Sequence, residues 1–137
     1  MRYRLTSCAA FICVVVLVLC TALYAIDGEQ EVEISFQNFS QQWMQHHYNR
    51  EKKANLVCKK VKDSFVAEYT GYSRSYSSRT KRTEYKETPY IGILSYQELK
   101  FVSKAGTYEE AINGTFMLLQ ECPVTEIFSF SGGTWRY

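Results

Sequence analysis

The sequence predicts an α+β domain: after an N-terminal signal helix, one long helix packs on a curved antiparallel sheet. Three observations predict it. From Phe36 to Val57 apolar and aromatic residues recur at three- and four-residue steps, one face of a helix. After Val61 the pattern changes to period two, as in strands. Near the end, Gly132-Gly133 separates two aromatic-rich runs, the mark of a tight hairpin.

The first residues, Met1-Arg2-Tyr3-Arg4, are short and basic, and an uncharged run follows from Cys8 to Ile26. A basic start, an apolar stretch and the small-x-small triplet Cys20-Thr21-Ala22 are the parts of a secretory signal. Residues 1–25 are therefore expected to be a signal peptide. The alternative is an uncleaved anchor, because the run is close to the roughly 20 residues a spanning helix needs. A lipoprotein signal with Cys20 as acceptor is disfavoured by the large residues Leu17-Val18-Leu19 before it. In each case Arg2 and Arg4 hold the N-terminus inside and the domain is translocated to an extracytoplasmic, periplasmic or secreted location.

Residues 26–34 read as an acidic spacer (Asp27, Glu29, Glu31, Glu33), and residues 35–137 as a single domain. Ser35 is the expected N-cap of the long helix, with Ile34 and Phe39 as a hydrophobic staple. Lys52, Lys53, Lys59 and Lys60 lie toward the negative end of its dipole. Phe65 to Tyr72 reads as a strand, its continuation from Ser73 to Lys81 as an exposed strand end and turn, and Arg82 to Glu87 as a second strand. A long strand is expected from Tyr90 to Ser103, kinked at Gly92. Thr107-Tyr108-Glu109-Glu110 has the spacing of a capping box and opens a short helix that Gly114 ends. Thr115 to Glu121 is a strand broken at Cys122-Pro123. Val124 to Phe130 and Thr134 to Tyr137 form the last hairpin, which is expected to close the fold by bringing Ile127, Phe128, Phe130, Trp135 and Tyr137 to the core.

This element order resembles the cystatin-like and NTF2-like domains, and Gly-Gly-Thr-Trp-Arg-Tyr at 132–137 resembles the last strand of many NTF2-like domains. The segments Pro89 to Leu94 and Val124 to Phe128 resemble those of small exported bacterial proteins. The NTF2-like resemblance implies a ligand pocket between helix and sheet. The cystatin inhibitor loop, Gln-x-Val-x-Gly, is absent, which argues against protease inhibition.

Composition narrows the function. Of sixteen Lys and Arg, two belong to the leader, which leaves fourteen bases against fourteen acids. A neutral mature chain argues against nucleic acid as the partner, which needs a net basic face. Of five cysteines, only Cys58 and Cys122 follow the leader. Export predicts that they pair, closing a long loop worth ~4 kcal/mol; two unpaired thiols are the alternative.

Candidate site residues fall into three groups. His46 and His47 are the only histidines. With Glu51 they supply at most two metal ligands on one helical face, so neither metal nor cofactor is expected, and an interfacial histidine is the simpler reading. The stretch holding Tyr72, Arg74, Tyr76 and Arg79 interleaves aromatic and cationic groups, with Tyr72, Arg74 and Tyr76 on one face of a strand; the pattern suits an anionic glycan, and an ordinary solvated strand is the simpler reading. Trp43, Tyr90, Tyr96 and Trp135 either line the helix–sheet pocket or pack as core. Asn38 and Asn113 stand in glycosylation sequons. The leading expectation is a non-enzymatic extracytoplasmic binding domain for a protein, a small ligand or an anionic glycan. The alternative is a small NTF2-like enzyme with acid–base residues in the pocket. His46 or His47 beside a carboxylate such as Glu68 or Glu98 there favours the enzyme; apolar and tyrosine walls alone favour binding.

Overall fold

The computed structural model describes residues 5–52 and 54–137, with side chains from Gly28 onward. Helix α1 runs over Leu5–Arg50. The expected leader lies outside the residues whose side chains are described. Among the described residues no helix is long and apolar enough to cross a membrane. The helix does not begin at Ser35, so the expected cap and staple are not used there. It continues through the acidic segment because Glu29, Gln30, Glu31 and Glu33 favour helix and only Gly28 opposes it.

Residues 36–137 form a compact unit of their own. Within it the helix packs on a strongly curled antiparallel sheet. The strands are β1 (Val57–Val61), β2 (Ser64–Tyr72), β3 (Ser77–Arg82), β4 (Tyr90–Ala105), β5 (Met117–Ser131) and β6 (Thr134–Arg136), with helix α2 (Tyr108–Asn113) between β4 and β5. The sheet order is β1-β2-β4-β5-β6, and β3 pairs with the first half of β4 beyond the end of β2.

Several boundaries differ from the expectation. The long helix ends at Arg50, and Val57 opens β1, a strand absent from the sequence reading. Its turn, Lys62-Asp63, puts Lys62 at φ 53°, a left-handed conformation usually signalled by Gly or Asn. The second expected strand, Arg82 to Glu87, is displaced to Ser77–Arg82, and residues 83–89 form a loop that Thr83 ties to Pro89 and Thr88. β5 is continuous through Cys122-Pro123. Proline is tolerated because β5 pairs with β4 on one side and meets β6 only at Ser129–Ser131, leaving its outer edge open at Pro123. Leu119 is the extra residue of a bulge, since Lys100 pairs with Gln120 and Phe101 with Leu118.

Two local signals act as written. The Thr107 hydroxyl accepts from Glu110 N while the Glu110 carboxylate accepts from Thr107 N, a complete capping box. Gly132 and Gly133, at φ 57° and 77°, make the tight turn into β6.

The core lies between α1 and the first half of β4. Phe36, Ser40 and Met44, four residues apart, are fully buried, with Leu94 and Phe128 opposite them on the sheet. Gly92 is required here: a Cβ would sit 2.1 Å from the Phe36 ring. Trp135 closes this end, its ring 4.6 Å from Phe36 and 4.8 Å from Phe130. A smaller cluster covers the other half of the sheet, where Ala67, Ser103 and the α2 residue Ala111 are buried.

The expected Cys58–Cys122 bridge is not formed; both thiols are free. Cys58 is on β1 and Cys122 on β5, with β2 and β4 between them. That is about 14 Å across the sheet, well beyond the reach of a disulfide.

Candidate functional site

The last two turns of the buried helix face meet the sheet beside the end of β2. Helical spacing puts Phe39, Trp43 and His47 on one stripe, four residues apart. Directly paired strand residues share a face. Tyr72 pairs with Glu98, Val124 with Tyr96 and Glu126 with Leu94, so all six belong to the face that holds the helix. The two patterns meet at His47. Its ring centroid lies 4.5 Å from that of Tyr72, 5.8 Å from Trp43 and 5.9 Å from Tyr96.

Trp43 is fixed from the sheet side: its indole Nε1 donates to Glu126 Oε2 at 2.7 Å. The bond satisfies both a half-buried donor and a half-buried carboxylate. His47 Nε2 is different. It is shielded from solvent and has no hydrogen-bond partner. Burial lowers the His47 pKa below its ordinary value; Glu126, and more weakly Glu98, oppose that shift, while His46 and Arg50 add to it. The net effect is a neutral imidazole at physiological pH. Burial also pushes the Tyr72 and Tyr96 phenols up, with the nearby Glu98 and Glu126 adding to the effect, so both remain protonated.

A hollow of about 350 Å³ opens beside this group, lined by Trp43, His46, His47, Arg50, Asn55 and Tyr72. It offers two aromatic walls, two imidazoles, an amide and a guanidinium. That set can stack a flat group and exchange hydrogen bonds with it.

The structure thus brings together Trp43, His47, Tyr72, Tyr96 and Glu98 from the sequence candidates, and adds Glu126. It does not bring Arg74, Tyr76 and Arg79 to the same place. β2 ends at Tyr72, so the expected shared strand face of Tyr72, Arg74 and Tyr76 does not exist. Arg74 is held by Glu51 at 2.8 Å and lies 4.1 Å over the Tyr48 ring. The other Glu51 oxygen accepts from Tyr72 N at 2.9 Å, capping the open edge of β2. Tyr76 lines a separate hollow with Ser95 and Thr125, and Arg79 is exposed on β3. Tyr90 and Trp135 belong to the far end of the core, against Phe130.

Glu126 was missed by sequence reasoning, which looked to Glu68 and Glu98. Glu68 is engaged with Lys100 at 3.0 Å, outside the hollow. The signal for Glu126 was the alternation Val124-x-Glu126-x-Phe128, which puts the carboxylate on the face of the core phenylalanine. Among the described residues no three His, Cys, Asp or Glu side chains gather as metal ligands. No family model, no curated protein and no solved structure matches the chain.

Proposed function

We propose that the chain is an extracytoplasmic binding domain whose small ligand enters the hollow at Trp43, His47 and Tyr72. One observation carries the reading: His47 Nε2 is screened from water yet unpartnered at the edge of an aromatic-walled hollow. An imidazole nitrogen left so costs stability unless a bound molecule completes it. The basic start and apolar run of residues 1–26 support the location, and the NTF2-like resemblance supports a pocket at this place in the fold. A flat or cyclic molecule with a hydrogen-bonding edge fits, its ring against Trp43 and Tyr72 and its polar edge at His47 and Asn55.

The test is a ligand-detected NMR panel of small amides, heterocycles, carboxylates and sugars, run on the parent chain and on His47→Ala. The reading expects hits among the ring compounds that weaken or vanish in the variant. Hits of equal strength in both proteins, or none, would refute it.

A second reading is favoured by the two carboxylates near His47. A neutral imidazole with Glu98 and Glu126 at hand has the parts of a general base, which supports the alternative of a small NTF2-like enzyme acting at the same hollow. Incubating each hit with the protein separates the readings: an enzyme consumes its ligand, and a binding domain returns it unchanged.

A further inference from the structure

The face of the sheet turned away from α1 is organised by a different chemistry. Strand pairing lays it out in rows. Ser77, Ser95 and Thr125 form one; Arg79, Ile93 and Ile127 the next; Lys81, Ile91 and Ser129 the third, which β6 extends to Arg136. Ile127 is 59% exposed, and Arg79, Lys81 and Arg136 are all exposed. These rows carry three cations and no carboxylate. That is segregation of charge, because the chain after the leader is neutral as a whole. The Arg74–Glu51 and Lys100–Glu68 ion pairs draw on none of the three. Glu84, from the loop after β3, shares a hollow with Lys81 and Ile91 at the end of the third row.

At the serine end of the rows the face dips into a shallow hollow of about 350 Å³, whose lining includes Ser75, Tyr76, Ser77, Ser95, Gln97 and Thr125. Hydroxyl and amide groups match the hydroxyls of a sugar, and the Pro123 ring, which also lines the hollow, matches its apolar ring face. Successive rows stand two residues apart along the strands, about 6.6–6.8 Å, so the hollow and the cations form one track. We infer that this face binds an acidic polysaccharide, with one sugar in the serine-lined hollow and the carboxylates of neighbouring sugars at Arg79, Lys81 and Arg136. The positive face complements an anionic chain, and the hollow distinguishes a sugar polymer from a flat lipid surface. This inference does not depend on the His47 hollow.

The test uses the full chain with three probes: alginate as a polyuronate, dextran as a neutral polymer, and phosphatidylcholine vesicles containing phosphatidylglycerol. The parent protein is expected to bind alginate at low salt and not dextran. The variant Arg79→Gln/Lys81→Gln/Arg136→Gln should lose roughly tenfold in alginate affinity. Thermal unfolding should be unchanged, since all three side chains are exposed. A control variant at the other end of the sheet, Lys59→Gln/Lys60→Gln/Lys100→Gln, should stay within about twofold of the parent. Ser95→Val/Thr125→Val should weaken alginate binding without any change of charge. The inference is overturned by absent alginate binding, by equal losses in both charge variants, or by unchanged binding in the Ser95/Thr125 variant. Vesicle binding that requires Arg79, Lys81 and Arg136, with none to alginate, would make this a membrane-facing surface instead.

Discussion

Two buried polar atoms set the behaviour of single residues in this domain. His47 must give up its proton to be buried, so its folded pKa lies below the unfolded value of about 6.5. A histidine with a depressed folded pKa contributes stability that is fully present above the unfolded pKa and is lost as pH falls toward the folded one. The parent protein should therefore lose melting temperature on acidification below about pH 6.5, and His47→Gln should flatten that part of the profile. Thermal unfolding of both proteins across pH 5 to 8 checks it. Ser40 is the second case. Its hydroxyl is fully buried between Phe36 and Met44 with no partner. Ser40→Ala should raise stability by about 1 kcal/mol, because an unsatisfied buried hydroxyl is removed with little change of volume. Gly92 works in the opposite direction. Gly92→Ala drives a methyl into the Phe36 ring and should cost about 1–3 kcal/mol, measured by denaturant unfolding.

Element by element, the local signals that proved most legible were those whose chemistry closes on itself. The Thr107/Glu110 box and the Gly132-Gly133 turn each act within a few residues, and both occur as the sequence predicts. The period-two run from Tyr90 gave β4 its start and most of its length. The failures have tertiary causes. β1 carries Lys59 and Lys60 and little apolar pattern, because its residues are mostly exposed on the sheet edge. Pro123 read as a break because a sequence does not show that β5 has an open side there. Ser73–Tyr76 read as strand because alternation persisted after pairing had stopped. The terminal hairpin was expected to bring Ile127, Phe128, Phe130, Trp135 and Tyr137 to the core. Phe128 is fully buried and Trp135 packs half-buried against the core, Phe130 is half-buried beside Trp135, and Ile127 and Tyr137 are 59% and 84% exposed. Trp135→Ala should consequently lower stability by roughly 2–3 kcal/mol, less than a fully buried tryptophan would cost. Tyr137→Ala should have a much smaller effect, since it loses only surface ring contacts with Trp43 and Phe128.

For the unit of residues 36–137, the curl of the sheet around one helix creates two unlike faces. The inner one is aromatic and carries the neutral His47 with Glu98 and Glu126; the outer one carries Arg79, Lys81 and Arg136 among isoleucines and serines. The sequence showed the residue types of the inner site, Trp43, Tyr72 and Tyr96, but not their meeting with His47. Adjacent histidines on a helix look alike in sequence, and only the sheet's register decides which one is enclosed. This enclosure is the proposed binding site. The most direct measurement is two-dimensional NMR of the Trp43 indole and the His47 ring during titration with a ring compound from the panel. Both signals should shift together along one saturation curve, ahead of any residue on the outer face. Signals from Ser95 or Thr125 that shift while Trp43 and His47 stay fixed would contradict it.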